Sequence, residues 1–479
     1  MAEVFRNLIG DGWQEGEGAV ANVNPSDTND VIGHYAQASN EQVRQAIAAA
    51  RRAQPEWGRA GLEQRHKALM GAGAELMERS RELGRELSRE EGKPLAEGVG
   101  EVYRAGQFFQ YYAAEVHRQF GETADSVRPG IEIDIRREPV GVVGIISPWN
   151  FPMATAAWKI APALAFGNAV VFKPANLVPA SAWAMVEVLQ RQDLPPGTIN
   201  LVMGGGGRTG EALINSAEID ALSFTGSQDV GRHVASATAA NLVRCQLEMG
   251  SKNALVVMDD ADLDIAVQAA VAGGYSGTGQ KCTASSRLVV HHAVHDAFVD
   301  KLAERLAAMR VGEATDEATE VGPLADARQL ESVEGYIRLA ESEGARRIVG
   351  GERVDAGKPG YYLSPCLLTD THNRMRINQE EAFGPLASVI RVADFDEAIS
   401  VVNDTRYGLT AGIITDSLHH AGRFRREAVS GCVMVNLPTA GTDYHVPFGG
   451  RRTSSFGPRE QGQYAREFYT TVKTSYIRS

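Results

Sequence analysis

The sequence predicts an α/β protein with a doubly wound parallel sheet, a second α/β domain and a small β element. From residue 139 onward, short continuous apolar runs alternate with helical stretches that begin with Gly, Pro, Ser or Asn: Val140–Ile146, Ala169–Phe172, Ile199–Val202 and Ala221–Phe224. Strands buried on both faces have this composition, and their alternation with helices indicates a parallel sheet. A second α/β domain after about residue 250 is predicted by three further runs: Asn253–Met258, Leu288–Val290 and Ala387–Val392.

The segment before this sheet is predicted to be mainly helical up to residue 118. Ser39-Asn40-Glu41-Gln42 has the spacing of a capping box, in which side chains satisfy free N–H groups at a helix start. Apolar residues then recur at helical intervals until Pro55, and further helical patterns cover Leu62–Glu90 and Leu95 to about Arg118.

Two segments alternate polar and apolar residues as exposed strands do, Gly121–Arg137 and Phe468–Ile477. A strand at the end of a chain offers an unpaired edge to another subunit. We therefore expect a homodimer or homotetramer.

Composition disfavours several classes of function. The 60 acidic and 48 basic residues of this 479-residue chain give a net charge of −12, which argues against a nucleic-acid partner. Four scattered cysteines form no C-x-x-C pair and histidines do not cluster, so neither a disulfide scaffold nor a metal site is expected. No charged leader with an apolar segment and no apolar stretch of about 18 residues occurs, which predicts a cytoplasmic protein without a membrane partner.

Three residues suit nucleophilic and acid–base chemistry. Cys282 follows Lys281, and a neighbouring positive charge lowers the pKa of a thiol from its ordinary value of about 8.5. Taken alone, a single cysteine is more often a small buried hydrophobe. Glu248 precedes an apolar strand, but alone it would be interpreted as a solvated acid in a turn. Asn150 lies at the end of a buried run, between two prolines, and alone it would be interpreted as a turn former.

Taken together, these segments and two others resemble the aldehyde dehydrogenase superfamily. The motifs occur in the family's order and approximate spacing over essentially the whole chain: P-W-N-F-P, L-E-M-G-x-K-N, G-Q-x-C, E-E-x-F-G-P and P-F-G-G. Five separate matches favour functional roles for Cys282, Glu248 and Asn150 over the structural roles that each residue would have alone. The resemblance implies an aldehyde dehydrogenase-like fold with an NAD(P)-binding domain at 1–120 and 139–249, a catalytic domain at 250–458 and an oligomerisation element at 121–138 and 459–479.

The resemblance also implies a reaction, the oxidation of an aldehyde to a carboxylic acid with NAD or NADP. An aldehyde is a poor hydride donor until a nucleophile converts its carbonyl into an alkoxide, and Cys282 matches that nucleophile. By resemblance, the Asn150 amide and the Cys282 backbone N–H would stabilise the alkoxide. Glu248 would activate the water that hydrolyses the thioester. Lys159 also matches a position near this site, although a helix-surface lysine is an equally good interpretation.

Glycine-rich turns are expected to bind the nucleotide. Gly205-x-Gly207-x-x-Gly210 fits the dinucleotide G-x-G-x-x-G pattern, but the resemblance places this loop, including Gly206 and Gly210, beside the adenine end. The pyrophosphate is assigned instead to Gly226 and Ser227, where a strand turns into a helix N-terminus.

Other cofactor positions bear on the choice between NAD and NADP. Lys173 matches the family's adenosine-ribose ligand, and Asn176 stands where many NAD-specific members carry glutamate. A carboxylate repels a 2′-phosphate, so a neutral amide removes a barrier to NADP. Glu381 and Phe383 match positions that hold the nicotinamide ribose, although alone they would be a turn acid and a core aromatic; Trp149 is assigned to the cofactor as well.

Within the superfamily the sequence is similar to the bacterial alpha-ketoglutaric semialdehyde (2,5-dioxopentanoate) dehydrogenases. The similarity lies around Glu248 and Cys282 and in Arg459–Gly462 leading to Thr471–Thr474. Arg104 aligns with a helix position that lines the substrate tunnel, where a guanidinium would pair with a distal carboxylate; an exposed helix arginine is the alternative. Other tunnel positions are matched by Phe151, Trp158, Ser276 and Thr442.

Alternative functions stay open at this point. Succinic semialdehyde enzymes often carry arginine where Trp158 stands, which disfavours that substrate. The aromatic lining keeps benzaldehyde- or vanillin-like aldehydes as an alternative, together with aliphatic ones. A thiol esterase would use Cys282 and Glu248 without nucleotide, but the cofactor motifs argue against it as the main role.

Overall fold

The structure is a computed structural model that describes residues 4–118 and 121–478. Met1–Glu3, Gln119–Phe120 and Ser479 fall within the predicted domain ranges but lie outside the described residues. The described strands are β1 (Val4–Phe5), β2 (Asn7–Ile9), β3 (Gly12–Gln14), β4 (Ala19–Val23), β5 (Val31–Ala36), β6 (Gly121–Asp125), β7 (Ile131–Pro139), β8 (Val142–Ile146), β9 (Ala169–Lys173), β10 (Ile199–Leu201), β11 (Ala221–Thr225), β12 (Arg244–Glu248), β13 (Asn253–Val257), β14 (Ser285–His291), β15 (Arg346–Val349), β16 (Cys366–Thr371), β17 (Leu386–Val392), β18 (Thr410–Ile414), β19 (Cys432–Val435), β20 (Ser455–Phe456) and β21 (Thr470–Arg478).

The described helices connect these strands. They are α1 (Asn40–Arg59), α2 (Leu62–Glu78), α3 (Ser80–Glu91), α4 (Leu95–Glu115), α5 (Ala154–Ala165), α6 (Pro179–Gln190), α7 (Glu211–Ile214), α8 (Gln228–Ala240), α9 (Leu263–Gly274), α10 (His295–Ala307), α11 (Ala327–Ser342), α12 (Arg376–Gln379), α13 (Phe395–Asn403), α14 (Leu418–Glu427) and α15 (Arg466–Tyr469). Among the described helices, none has both the length and the apolar character needed to cross a bilayer.

The first large sheet has the strand order β20-β12-β11-β8-β9-β10-β2-β3. Its central strands, from β12 to β10, are parallel, and the outer strands β20, β2 and β3 are antiparallel. Val143 and Ile145 of β8 pack into one hydrophobic core, whereas Val142 and Ile146 pack into another. Burial on both faces explains the continuous apolar runs, and the predicted parallel sheet is confirmed.

The second large sheet has the order β15-β16-β17-β14-β13-β18-β19 and is parallel except for β15 at its edge. Alternate residues of β13 again enter opposite cores, Leu255 and Val257 on one face and Ala254 and Val256 on the other. The predicted second α/β unit is therefore confirmed. The strand β20, at residues 455–456, pairs with β12 of the first sheet, so the chain returns there before its last strand.

Helix α1 begins with the predicted capping box. The Ser39 hydroxyl accepts from the Gln42 N–H, and the Gln42 side chain accepts from the Ser39 N–H, both at 3.1 Å. The expected interruption at Pro55 is wrong, because α1 continues to Arg59. Fully buried Trp57, whose indole donates to the Leu164 carbonyl at 2.9 Å, holds this last turn in place despite the proline.

Residues 4–36 contain five strands, β1 to β5, and no helix, which corrects the expectation of a mainly helical segment before residue 118. Strands β1, β5 and β4 make a small sheet, and β2 and β3 extend the first large sheet. Aromatic packing stabilises these short strands: the Phe5 ring lies 4.8 Å from that of Tyr35 and 5.0 Å from that of Trp183.

The remaining sheet has the order β21-β7-β6, which confirms strands in both alternating segments. The C-terminal strand begins at Thr470 rather than at Phe468, because buried Phe468 and Tyr469 belong to the short helix α15. Strand β21 is an edge strand, and it exposes Val472 and Tyr476 to 55% and 61%. Such an edge is suited to pairing with a second chain.

We expect the combined substitution Val472→Lys and Tyr476→Lys to reduce the size of the assembly, because charge on an edge strand opposes pairing with another strand. Sedimentation analysis should give a smaller species than the unmodified protein. Leu418→Lys, which alters a 91% exposed side chain on α14, is the matched control and should leave the mass unchanged. An unaltered mass in the double variant would contradict a role of β21 in assembly.

Candidate active site

Cys282 lies in the loop between α9 and β14, and backbone constraints on both sides hold it. Gly279 adopts a left-handed conformation with a φ of 65°. A Cβ atom there would approach the Gly384 carbonyl oxygen to 2.1 Å, so the turn requires glycine. On the other side, the Asn253 amide donates to the Cys282 carbonyl at 2.7 Å. The sulfur is thus carried on a rigid loop.

The Cys282 thiol is partly accessible and is not activated by the lysine beside it. Burial raises the pKa of this thiol well above its usual range, and the carboxylates of Glu381 and Glu248 raise it further. Lys281 donates to the Ser276 hydroxyl. The lowering of the thiol pKa expected from Lys281 is not found, because burial outweighs it. The thiol must therefore lose its proton during the reaction.

Two hydrogen-bond donors lie next to this sulfur. Asn150, 6% exposed, follows β8, and its side-chain amide donates to the Gln280 carbonyl at 2.8 Å. An amide carries two N–H bonds, so one remains for a ligand. The Cys282 backbone N–H donates to no other residue among those the structure describes. The pair is suited to stabilising negative charge on an oxygen atom.

Glu248 ends strand β12 and is buried. The Ser455 hydroxyl donates to its carboxylate at 2.5 Å. Burial raises the pKa of Glu248 to about 8, and the charge of Glu460 adds to the shift. A carboxyl group with this pKa exchanges protons near neutral pH, as a general base must.

Lys159 lies behind this group rather than on a helix surface. It is 0% exposed, donates to the Ser223 hydroxyl at 2.8 Å and forms an ion pair with Glu460. Burial also raises the pKa of Glu460. The C-terminal segment around residue 460 thus supplies a buried acid next to Glu248.

Cys282, Asn150 and Glu248 meet at a cavity of about 380 Å³ between the two large sheets. The residues selected from the sequence that line it are Trp149, Asn150, Phe151, Trp158, Gly226, Ser227, Glu248, Cys282, Glu381 and Phe383. The others lie outside its lining: Arg104, Lys159, Lys173, Asn176, Gly206, Gly210, Ser276 and Thr442. Ser276 is engaged by Lys281, and Thr442 is partly exposed in a loop.

Polar residues follow the carboxyl ends of neighbouring parallel strands beside this cavity. Lys173 ends β9 with exposed Asn176 three residues later, Gly206–Gly210 follows β10, and Gly226–Ser227 joins β11 to α8. Burial lowers the pKa of Lys173 to about 8, and its ammonium has no partner among the described residues. The buried Thr225 hydroxyl is likewise without a partner there. Unpaired donors beside a helix N-terminus fit an anionic nucleotide.

Glu381 and Phe383 face the cavity from the second sheet. The Glu381 carboxylate accepts from the Ser251 N–H at 2.8 Å, and burial raises its pKa to about 7. Phe383 adopts a left-handed conformation with a φ of 57°, and its ring lies 5.4 Å from that of Trp149. The Gln329 side chain donates to the Phe383 carbonyl at 2.7 Å, which stabilises this uncommon backbone conformation.

A line of aromatic rings leads from the cavity to Arg104. Trp158 and Phe448 line the cavity with ring centroids 5.5 Å apart, and Phe108 lies 6.0 Å from Trp158. The ring of Tyr444 follows at 6.3 Å from Phe108, and the Arg104 guanidinium lies 5.4 Å from that ring. Arg104 is half-buried, and no carboxylate among the described residues pairs with it.

Several residues that shape this site were not selected from the sequence. Gln329 and Phe448 line the cavity, Ser455 binds Glu248, and Glu460 pairs with Lys159. Glu460 and Phe448 lie inside segments that carried the resemblance, so a signal existed for them. Gln329 and Ser455 lie in no such motif, and only the folded chain brings them to the site.

The chain is similar to known proteins of one family. Residues 13–475 match the model of the aldehyde dehydrogenase family. The chain is 40% identical to the alpha-ketoglutarate semialdehyde dehydrogenase of Haloferax volcanii, over 99% of each chain. It is 37% identical to the alpha-ketoglutaric semialdehyde dehydrogenase of Bacillus subtilis, over 99% of this chain and 98% of that one.

Solved structures show the same likeness. The crystal structure of betaine aldehyde dehydrogenase from Staphylococcus aureus in complex with NAD+ matches with a TM-score of 0.96 at 34% identity, over 99% of this chain and 95% of that one. The fold class and the resemblance drawn from the five motifs are confirmed. The chain therefore belongs to the aldehyde dehydrogenase family.

Proposed function

We propose that the protein oxidises alpha-ketoglutaric semialdehyde to 2-oxoglutarate, with NAD or NADP as the hydride acceptor. One observation carries the choice of substrate: Arg104, a half-buried guanidinium unpaired within the described chain, ends the aromatic line that starts at the cavity. A carboxylate remote from the aldehyde would meet this charge. The names of the Haloferax and Bacillus relatives support the same substrate class.

The first step is nucleophilic addition by Cys282. The sulfur forms a bond to the aldehyde carbon, the carbonyl electron pair moves to oxygen, and the thiol proton is passed to buffer base in the solvent. The Asn150 amide and the Cys282 N–H donate to the resulting oxyanion. Because the cavity wall already holds both donors, little reorganisation is required.

The described residues fit a nicotinamide nucleotide along the edge of the first sheet. When bound, the nucleotide would supply a hydride acceptor for the former aldehyde carbon, and Cys282 would carry the resulting thioester. Lys173 would bind the adenosine ribose and the N-terminus of α8 at Ser227 would bind the pyrophosphate. Glu381 and Phe383, which line the cavity, would hold the nicotinamide ribose.

Glu248 then activates the water that releases the acid. Its carboxylate takes a proton from water, the oxygen attacks the thioester carbon, and the C–S bond breaks to return the sulfur of Cys282. Only the ionised form can take this proton. Since burial and Glu460 raise the pKa of Glu248 to about 8, the step should depend on pH in the neutral range.

Two alternatives have some support. The rings of Phe151, Trp158 and Phe448 in the cavity wall would also accept a benzaldehyde-like or an aliphatic substrate. A thiol esterase would need only Cys282, Asn150 and Glu248. The unpaired donors on the nucleotide side distinguish the dehydrogenase from the esterase, because hydrolysis alone makes no use of them.

Glu248→Gln should form a stoichiometric burst of reduced cofactor and then turn over slowly, since water activation alone is lost. In the unmodified enzyme, deacylation should rise about tenfold per pH unit below the pKa of Glu248 and level off above about pH 8. Stopped-flow absorbance of the reduced nicotinamide measures both. Cys282→Ala is the control without any burst, and a burst that vanishes in Glu248→Gln would assign the thiol proton to Glu248.

Arg104→Leu should lower kcat/KM for alpha-ketoglutaric semialdehyde about 10- to 100-fold, the value of one charge-assisted hydrogen bond at a half-buried site. Benzaldehyde and hexanal should be oxidised as well as before, because they carry no charge for Arg104. Arg81→Leu, at an exposed position on α3, is the control and should alter no substrate. A uniform loss with all aldehydes, or a preference of the unmodified enzyme for benzaldehyde, would contradict the substrate proposal.

Asn176→Glu should raise the KM for NADP far more than that for NAD, because the new carboxylate repels the 2′-phosphate and accepts from the ribose hydroxyls. Initial-rate measurements with both nucleotides test this. Asn176→Gln keeps a neutral amide and should leave the ratio of the two KM values unchanged. Equal effects of the glutamate on both nucleotides would place Asn176 away from the adenosine ribose.

A further inference from the structure

A buried ion pair lies directly behind Asn150. The ammonium of Lys93, whose side chain is 3% exposed, contacts a Glu101 oxygen at 2.6 Å and donates to the Asn150 backbone carbonyl at 2.7 Å. It also lies 4.1 Å from the centroid of the Phe151 ring. One cation therefore touches both the residue that supplies the oxyanion donor and the next ring of the cavity wall.

Glu101 holds the other end of the same turn. Its second oxygen accepts from the Met153 and Ala154 N–H groups at 2.9 and 3.1 Å, where α5 begins. The turn from residue 150 to 154 is thus fixed at its start by Lys93 and at its end by Glu101. Since the two side chains also bind each other, they act on the turn as one unit.

Stability alone does not account for this pair. In many proteins, the free energy needed to remove two charges from water exceeds the attraction that the buried pair gains. Apolar residues of similar size often stabilise a core equally well. Although burial opposes it, Glu101 and Glu91 together raise the pKa of Lys93, so the ammonium keeps its charge. Burial raises the pKa of Glu91, 3.8 Å from Lys93, to about 8. By contrast, the contacts with the turn from residue 150 to 154 require a donor at Lys93 and an acceptor at Glu101.

We propose that Lys93, held by Glu101, is a positioning residue that aims the Asn150 amide at the aldehyde oxygen. The proposal rests on the oxyanion role proposed for Asn150. The far side of that amide is held by the Gln280 carbonyl at 2.8 Å, so the free N–H points where the Asn150 backbone places it. Lys93 binds that backbone, and a shift of about 1 Å in a catalytic group can cost about 100-fold in rate.

The test is the paired substitution Lys93→Met with Glu101→Gln, which removes both charges and keeps an oxygen for the N–H groups of Met153 and Ala154. We expect the burst of reduced cofactor and the nucleotide-free hydrolysis of p-nitrophenyl acetate to fall about 10- to 100-fold together. Alkylation of Cys282 by iodoacetamide should be unchanged, because that reaction displaces iodide from a saturated carbon and forms no oxyanion. Nucleotide affinity should also be retained.

A control pair joins Arg89 of α3 to Asp30, which precedes β5, and neither residue lines the cavity. Asp30→Asn with Arg89→Met removes a partly buried ion pair, with an N–O distance of 2.6 Å, and should leave all four measurements unchanged. Glu101→Gln alone removes the carboxylate but leaves Lys93 its bond to Asn150, and it should show a smaller loss in the same two reactions. Thermal unfolding identifies any variant that is not folded.

Three results overturn the proposal. Burst and ester hydrolysis at the unmodified rate in the folded paired variant would show that Asn150 needs no positioning by Lys93. A parallel loss of alkylation would show that the whole cavity has collapsed. In the first case, a loss of both reactions in Asn150→Ala would limit the failure to the positioning role. If Asn150→Ala leaves both reactions intact, the oxyanion assignment beneath the proposal fails as well.

Discussion

The site depends on one constraint, the parallel pairing within the set of strands β8, β9, β10, β11 and β12. Because these strands run in one direction, the residues that follow them meet at one edge of the sheet. Ile146 pairs with Lys173, and Thr225 pairs with Glu248, so nucleotide-side and acid–base residues leave the sheet at the same level. A slip of one residue in either pairing would turn alternate side chains to the opposite face and separate these groups.

The buried charges around that edge fall into two kinds. Lys159 and Lys93 each contact a carboxylate within the chain, and both lie behind the cavity wall. Lys173 and Arg104 have no such partner among the described residues, and they are the residues proposed to bind the adenosine ribose and the substrate carboxylate. A paired charge supports neighbouring residues, whereas an unpaired one leaves its hydrogen bonds for a ligand. This difference separates supporting residues from binding residues better than burial does.

Local sequence patterns predicted those helices and strands that depend on residues close to one another in the sequence. The doubly buried strands and the capping box at Ser39 were found because each is a short-range pattern. The strands before residue 37 were missed because they are short and are held by side chains from distant segments, such as Trp183. Pro55 was misjudged for the same reason, since the contact that keeps its helix intact comes from Leu164.

Prediction of the site shows the same division. Motif resemblance selected Cys282, Glu248 and Asn150, and the structure brings all three to one cavity. Ser455, which binds Glu248, and Lys93, which binds Asn150, escaped selection, because no spacing relates a serine at 455 to an acid at 248. The ion pair of Lys159 and Glu460 is the extreme case, joining residues 301 positions apart. This separation in sequence has a consequence during synthesis on the ribosome. When residue 159 has left the exit tunnel, residue 460, which carries the counter-charge, has not yet been translated. The nascent chain therefore completes the acid–base side of its site only after residue 460 has been translated, and until then Lys159 must stay solvated or lie in a loosened core.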